Sequence, residues 1–219
     1  MIVAVTFVVV TDTRTEAAQR HFDRWSRTYE RDTASRWLRE VQSSALQALD
    51  LGARDSLLDI ACGTGAAVRE AAPTVARAVG LDLSPGMIAQ ARTLAAALGN
   101  VEFRVVDVTA GLPFGDGEFT AILCTTAFHH FPAPLEAIAE MARVLAADGR
   151  LVIGDMNSDR LLVRVLDLGL RTLQHSHVGC PSASALTRDL RAAGFASTAV
   201  DTMWLGSYAV VRGAKTAPV

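Results

Sequence analysis

Lysine and tyrosine are nearly absent from this chain of 219 residues. Of its 21 lysines and arginines only Lys215 is a lysine, and Tyr29 and Tyr208 are the only tyrosines. The sequence leaves no lysine for a Schiff base, for a phosphate-binding P-loop or for the Tyr-x-x-x-Lys pair of short-chain dehydrogenases. The scarcity therefore argues against those three classes of enzyme.

An excess of one charge and a paired set of cysteines are lacking as well. The formal net charge is −2 at pH 7, which gives no reason to expect binding to nucleic acid. Cys62, Cys124 and Cys180 are odd in number and lack C-x-x-C spacing. They predict a cytoplasmic protein without structural disulfides.

No hydrophobic run is long enough to cross a membrane. Residues 1–10 are apolar but too short for a span, and they have neither a basic flank nor a small-residue cleavage site. We therefore expect no membrane insertion and interpret residues 1–14 as an N-terminal arm. The alternative is a β-branched strand that pairs with a sheet edge or a partner subunit, which leaves a homodimer open.

Strand and helix patterns alternate regularly from Ser56 onwards. Such alternation predicts a doubly wound, mostly parallel α/β sheet. Phe195–Trp204 and Ser207–Arg212 predict a closing β-hairpin around Gly206. The five preceding strands are expected to end near Cys62, Asp82, Val108, Cys124 and Asp155, with helices at 64–72, 85–98 and 133–146.

The segment Leu57-Leu-Asp-Ile-Ala-Cys-Gly-Thr-Gly65 carries the clearest functional pattern. A strand, a Gly-x-Gly turn and a helix follow one another, which is typical of a nucleotide-binding corner. Glycine permits a tight turn and a close approach of the backbone to a ligand, because it has no Cβ. The third glycine of the dinucleotide fingerprint is replaced by Val68, so a nucleoside without a pyrophosphate is the better match.

Acids end the next two strands of the pattern. Asp82 lies 17 residues after Gly65, at about the place of a ribose-binding carboxylate. Asp107 ends the third strand, where a carboxylate or a neighbouring amide can bond to an adenine edge. Because the carboxyl ends of parallel strands share one edge of a sheet, we expect Asp59, Asp82, Asp107 and the segment after Cys124 to converge there.

With these motifs in this order, the chain resembles the class I S-adenosylmethionine-dependent methyltransferases. The likeness is greatest to the small type 11, ubiquinone/menaquinone-biosynthesis-like branch, which is bacterial and includes enzymes of secondary metabolism. The resemblance covers roughly residues 20–212. It rests on LLDIACGTG (57–65), VGLDLSPGMI (79–88), VVDVTAGLPF (105–114), FTAILCTTAFHHF (119–131) and MARVLAADGRLVIGD (141–155).

The resemblance implies a Rossmann-like, seven-stranded, mostly parallel sheet with an antiparallel last strand and N-terminal helices. It places the methyltransferase domain at residues 15–212 and a tail at 213–219. Within the domain, residues 15–50 form a helical cap, and residues 158–193 form a helical insertion on the acceptor side.

The implied cofactor is S-adenosyl-L-methionine, with S-adenosyl-L-homocysteine as its product. Phe22, Trp25 and Tyr29 resemble an aromatic segment that closes over the cofactor, with ordinary helix packing as the alternative. Tyr29 is our candidate for the methionine carboxylate, and Asp59 for the glycine loop or the amino group of the ligand. The predicted cofactor-binding residues are Tyr29, Asp59, Ala61, Gly63, Thr64, Gly65, Asp82, Leu83, Met87, Asp107, Val108 and Thr125.

Histidines follow the fourth strand, where the transferable methyl group is expected. His129 and His130 are candidates for a general base, and a structural role for each imidazole is the alternative. Of the two, His129 is favoured to line the pocket. His175, His177 and Cys180 could suggest a metal site, but no fourth ligand is evident, and we predict no metal.

The leading hypothesis is methyl transfer to a small molecule such as a quinone-like ring, a polyketide or another secondary metabolite. Transfer is expected to be in line and to depend mainly on positioning, with a base needed only for a protonated acceptor. The alternative is a methyltransferase-like protein with a non-methylating role, as a cyclase or an auxiliary subunit.

Overall fold

Seven strands form one sheet with apolar side chains packed on both of its faces. This computed structural model describes residues 13–173 and 177–216. Residues 1–12 of the predicted arm (1–14), His175, and residues 217–219 of the predicted tail (213–219) lie outside the described residues. The strands are β1 Ser56–Ile60, β2 Arg77–Asp82, β3 Val101–Val105, β4 Phe119–Thr125, β5 Leu145–Met156, β6 Ser197–Met203 and β7 Tyr208–Ala214.

The strand order across the sheet is β3-β2-β1-β4-β5-β7-β6. Neighbouring strands from β3 to β5 are parallel, whereas β7 is antiparallel to both β5 and β6. The predicted doubly wound, mostly parallel sheet with an antiparallel last strand is confirmed. The chain winds from β1 towards β2 on one side and continues from β4 on the other, so the direction of winding reverses beside β1.

The helices that join these strands follow the predicted pattern with shifted ends. The third helix begins at Ala66 rather than at the predicted residue 64, because Gly63 and Gly65 in the loop after β1 both have positive φ. The first helix begins within the predicted arm, and β7 continues past residue 212. Described helices are α1 Thr13–Trp25, α2 Thr33–Gln47, α3 Ala66–Ala71, α4 Pro85–Leu94, α5 Pro134–Val144, α6 Leu161–Leu173 and α7 Ala183–Ala192.

Alternate residues of the central strands enter two separate apolar clusters. In β1, Leu58 and Ile60 belong to one cluster, and Leu57 belongs to the other. In β4, Ile122 and Leu123 divide in the same way. Side chains of a strand point to opposite faces in turn, so a continuous apolar run is what a sheet buried on both faces requires. The sheet is therefore covered on each side.

The helix α4 begins where the sequence predicted. Ser84 caps it by accepting a hydrogen bond from the Met87 amide at 3.1 Å, and Pro85 is the first helical residue. Asp23 of α1 adds a second tie, because its Oδ1 accepts from the Ser84 hydroxyl at 2.5 Å and from the Gly86 amide at 3.0 Å. The N-terminal helix α1 is thereby fixed to the start of α4.

The helix α2 ends inside the range predicted for the helical cap, residues 15–50. Gln47 is its last residue, and Asp50 has the left-handed conformation with a φ of 49°. Leu49, between them, is fully buried in the cluster that includes Leu57 and Leu123. The helical cap is therefore part of the central core.

No helix in the described part of the chain is both long enough and apolar enough to cross a bilayer. The sequence-based prediction also depended on residues 1–10, which are not among the described residues.

Replacing Leu49 by alanine tests whether the helical cap belongs to the core. We expect Leu49→Ala to lower the free energy of unfolding by about 2–5 kcal/mol, because a fully buried leucine leaves a cavity. Leu94, 45% exposed on α4, provides the matched control, and Leu94→Ala should cost about 0.5 kcal/mol or less. Urea unfolding followed by circular dichroism measures both. Equal losses for the two variants would contradict the assignment.

Candidate functional site

A cleft of about 270 Å³ opens at the carboxyl ends of the central strands. It lies where the winding of the sheet reverses, the usual place for ligands in open α/β sheets. The α1–α2 segment supplies its other wall through Phe22, Trp25 and Gln42. Twelve of the predicted residues line it, namely Tyr29, Ala61, Gly63, Thr64, Asp82, Leu83, Met87, Asp107, Val108, Thr125, His129 and His130.

The two glycines of the glycine loop have different surroundings. Gly63 faces the cleft, and Gly65 faces the core. A Cβ on Gly63 would meet no atom within 4 Å, so this position borders open space. A Cβ on Gly65 would collide with the Phe103 ring and lie 3.2 Å from Ala91. Gly65 also has a φ of 75°, which disfavours other residues. Its glycine is required by packing beneath the loop, and it does not belong to the cleft lining.

Asp82 holds the glycine loop in place with both of its oxygens. One accepts a hydrogen bond from the Gly63 amide and the other from the Ser84 amide, each at 2.8 Å. Burial raises the pKa of this carboxyl to about 6, although the two amide bonds act in the opposite direction. The carboxylate thus joins the loop after β1 to the turn after β2, and it also lines the cleft.

Asp59 lies in the middle of β1, behind the lining residues. It is fully buried, and neither of its carboxylate oxygens has a hydrogen-bond partner among the described residues. Burial, reinforced by the charge of Asp82, raises the pKa of Asp59 well above its usual range. A buried carboxylate without a donor is costly, so this position calls for a cationic or hydrogen-bonding ligand group.

The far end of the cleft combines apolar and polar groups. Met87 is buried on α4, and Leu83 and Val108 border the same space. The Oδ1 atom of Asp107 accepts from the amide and the hydroxyl of Thr109, at 3.0 and 2.6 Å. The carboxylate therefore fixes the turn after β3 and keeps its remaining acceptor positions for other donors.

Aromatic side chains of α1 and of the segment between α1 and α2 line the cleft. Phe22, Trp25 and Tyr29 all line it, and the Trp25 and Tyr29 rings meet edge to face with centroids 4.8 Å apart. The Phe22 ring meets His130 in the same manner at 5.5 Å. Burial, followed by the charge of Asp82, raises the pKa of Tyr29 to about 12. The phenol is therefore neutral at physiological pH and able to donate a hydrogen bond.

Glu30 is a lining residue that the sequence did not reveal. Its carboxylate accepts from the Thr64 hydroxyl at 2.6 Å and pairs with Arg39 at 2.8 Å and with Arg69 at 3.4 Å. These contacts connect the helical cap to the glycine loop. An isolated acid next to an aromatic residue has no periodicity or spacing that could have indicated this role.

His129 has a buried acid as its partner. Its Nδ1 atom lies 2.9 and 3.0 Å from the two oxygens of Asp155, and its backbone amide donates to Asp155 at 3.0 Å. Burial would lower the pKa of His129, but the charge and the hydrogen bond of Asp155 outweigh it, so the pKa is raised. Although burial opposes it, the same pairing lowers the pKa of Asp155.

The sequence contained a signal for this pair. Asp155 was expected at the end of a strand, and His129 follows the strand beside it in the sheet. Parallel neighbours bring their carboxyl ends together, so an acid and a histidine at those two ends are natural partners. The resemblance concerned the cofactor half of the cleft, and Asp155 was not among the predicted site residues.

A second buried group of polar side chains lies behind the histidines. His177 Nε2 is 2.7 Å from Asp167 Oδ1, which also accepts from the Cys180 amide at 2.7 Å, and Arg171 pairs with Asp167 Oδ2 at 2.8 Å. The His177 and His129 ring centroids are 5.1 Å apart. Candidate metal-ligating atoms of Asp167, His177 and Cys180 lie within 4.8 Å of one another. Hydrogen bonds and the ion pair already engage both Asp167 oxygens.

Residues 58–153 match the protein family described as "Methyltransferase domain". A demethylmenaquinone methyltransferase of Clavibacter sepedonicus is 32% identical over 185 residues, which cover 75% of each chain. A 37.1 kDa protein of transposon TN4556 from Streptomyces fradiae is 34% identical over 143 residues, or 64% of this chain. That match spans only 41% of the transposon protein.

The solved structure of the YcgJ protein from Bacillus subtilis has a similar fold. Its TM-score is 0.70 at 21% sequence identity, and the match covers 82% of this chain and all of that one. At this level of identity the likeness concerns the fold. It agrees with the sheet order and with the single antiparallel strand described above.

The pairing of His129 with Asp155 predicts a measurable titration shift. We expect the pKa of His129 to lie above the usual histidine value and to fall in Asp155→Asn, which removes the anion while burial remains. NMR titration of the imidazole resonances measures it. Asp116→Asn, at an acid that is exposed and pairs with Arg143, is the control and should leave the titration unchanged. A pKa that does not respond to Asp155→Asn would contradict the pairing.

Proposed function

Because the chain belongs to the class I S-adenosylmethionine-dependent methyltransferases, we propose that its cleft binds S-adenosylmethionine and methylates a small-molecule acceptor. One observation carries the proposal. The glycine loop, Asp82 and the His129–Asp155 pair lie around one continuous space. One end of the cleft thus has the groups for an adenosyl ligand, and the other has a group that can hold a proton.

The residues of the cleft fit this cofactor. Asp59 lies behind the lining residues, and its two buried oxygens have no partner within residues 13–173 and 177–216. Such oxygens suit the ammonium group of the methionine portion. The neutral phenol of Tyr29 can donate to the methionine carboxylate, as the resemblance implies. Gly63 borders open space beside them, so the backbone can approach the ligand.

Asp82 remains our proposed ribose-binding residue. Each carboxylate oxygen has two lone pairs, and the Gly63 and Ser84 amides use one on each. Two positions are left for the vicinal hydroxyls of a ribose. Met87 and Leu83 supply apolar surface for the adenine, and Asp107 supplies an acceptor for its edge.

When bound, S-adenosylmethionine supplies a sulfonium-activated methyl group. The protein must align the acceptor with it and keep water away, and well-fixed geometry of this kind contributes about 7–11 kcal/mol. Phe22 and Trp25 of α1 cover the cleft and exclude water. Phe131 and Ala127 border the histidine end, so we propose an acceptor with an aromatic or otherwise apolar ring.

His129 is our proposed general base for an acceptor that arrives protonated. Asp155 engages Nδ1, which leaves Nε2 as the nitrogen that accepts a proton. The base is active only when the imidazole is neutral. Since Asp155 raises the pKa of His129, methyl transfer to such an acceptor should increase as the pH rises through that raised value. His130 borders the same space and is proposed to contact the acceptor.

A non-methylating role is the second candidate, because the same cleft can bind the cofactor without using it. The mass of the product separates the two functions. Methyl transfer adds one CH₂ group to the acceptor, whereas a cyclisation leaves its mass unchanged.

The unpartnered carboxylate of Asp59 tests cofactor binding. We expect Asp59→Asn to weaken the affinity for S-adenosylhomocysteine about ten- to a hundredfold, because an amide cannot form the charged pair with the ligand's ammonium group that we propose for the carboxylate. Titration calorimetry measures the affinity, and circular dichroism checks the fold. Asp201→Asn is the control, since Asp201 is 60% exposed and pairs with Arg212. Asp201 lies on β6, the edge strand of the sheet, away from β1. Unchanged affinity in Asp59→Asn would refute this assignment.

His129→Ala should separate catalysis from binding. We expect turnover of a phenolic acceptor to fall about a hundred- to ten-thousandfold, the usual contribution of a general base, with little change in the affinity for S-adenosylhomocysteine. Asp155→Asn should move the acidic limb of the pH–rate profile to lower pH. A screen of candidate acceptors with labelled cofactor, followed by mass spectrometry, provides the assay. Full turnover in His129→Ala would make His129 structural.

A further inference from the structure

The helix α6 exposes an unusual amount of apolar side chain. Leu161, Leu162 and Leu173 are 73%, 69% and 82% exposed, whereas Val163 and Asp167 are buried. Soluble proteins seldom leave so many aliphatic groups in contact with water on one element, and such a patch usually marks an interaction site. We call the following set the α6 surface: Leu161, Leu162, Val165, Leu166, Leu168, Leu170 and Leu173.

These side chains form one stripe along the helix. At 100° per residue they occupy an arc of about 200°, and the buried Val163 and Asp167 fall outside this arc. Arg160, Arg164 and Arg171 fall within about 40° of one another on the same projection. The three arginines therefore form a row that borders the apolar arc on one side.

The arginine row has almost no acid to balance it. Asp167 is the only acid of α6, and its side chain is 6% exposed and paired with Arg171 and His177. Asp159, just before the helix, bonds to the amide and hydroxyl of Ser184. The exposed charge along this edge is positive.

A second apolar group protrudes beside the start of α6. Leu205 is 93% exposed and has the left-handed conformation with a φ of 57°. Its carbonyl oxygen accepts from Arg160 Nε at 2.8 Å, so the turn before β7 is held against the helix. A leucine in a strained turn that points to water packs against little of the part of the chain that the structure describes.

Two occupants could cover the α6 surface, and the charges distinguish them. If a second copy packed on the α6 surface across a two-fold axis, the two arginine rows would lie near each other. Neither row would then have acids to pair with. A bilayer that contains anionic lipids offers hydrocarbon to the leucines and phosphate groups to the arginines. An apolar arc bordered by arginines is the pattern of a helix that lies in the membrane interface.

We propose that the α6 surface docks this protein on anionic membranes, with the helix in the plane of the bilayer. The leucines enter the boundary between headgroups and acyl chains, and the arginine row contacts lipid phosphates. A helix of 13 residues cannot span a bilayer, which takes about 20 residues, so the attachment is peripheral. The proposal amends the expectation of no membrane insertion, and it does not depend on the reaction in the cleft.

Co-sedimentation of the full chain with sucrose-loaded vesicles tests this docking. We expect binding to vesicles of phosphatidylglycerol and phosphatidylcholine, with much weaker binding to phosphatidylcholine alone and a decrease with added salt. Leu162→Glu/Leu166→Glu should lower the partition coefficient about tenfold or more. The control, Leu94→Glu/Leu135→Glu, makes the same change at leucines of α4 and α5 that are 45% and 61% exposed and should bind as the unaltered chain does.

Two results would overturn the proposal. One is equal vesicle binding by the unaltered chain and Leu162→Glu/Leu166→Glu. The other is no binding to anionic vesicles. If light scattering then shows a dimer that this variant dissociates, the α6 surface belongs to a second copy. Circular dichroism confirms that each variant is folded, whatever happens in the cleft. Calorimetry with S-adenosylhomocysteine reports on the cofactor site. It also keeps a failure of docking distinct from a failure of the cofactor site.

Discussion

The carboxylate of Asp82 is the contact on which the rest of this site depends. It joins the Gly63 amide to the Ser84 amide and so fixes the loop after β1 relative to the turn after β2. It is almost entirely buried, and its charge is made tolerable by amide donors rather than by a cation. The glycine loop, the start of α4 and one wall of the cleft all take their positions from this group.

A similar arrangement occurs at the other end of the cleft. Asp155 is buried at the end of β5 and orients His129 through its ring nitrogen and its backbone amide. Each acid ends a parallel strand, and each organises the segment that follows a neighbouring strand. The sheet thus supplies fixed negative charges at one edge, and the loops arrange around them.

The fold could be predicted because its signals are local. Strand and helix periods, the Ser84-Pro85 cap and the glycine turn each involve residues close in sequence. The role of Gly65 could not be predicted, since its neighbour Phe103 is distant in the chain. Glu30 was missed for the same reason. Asp155 was missed although the neighbouring ends of β4 and β5 gave a signal for its pairing with His129. The leucines of α6 have the periodicity of an amphipathic helix, and sequence alone cannot tell whether such a stripe faces the core or the solvent.

The contact between Asp23 and the start of α4 has a consequence for access to the cleft. Phe22 and Trp25, which cover the cleft, belong to the same helix as Asp23. An outward movement of this helix would break the bonds from Ser84 and Gly86 to Asp23. The cover of the cleft is thus held by a carboxylate that is not among the residues lining it.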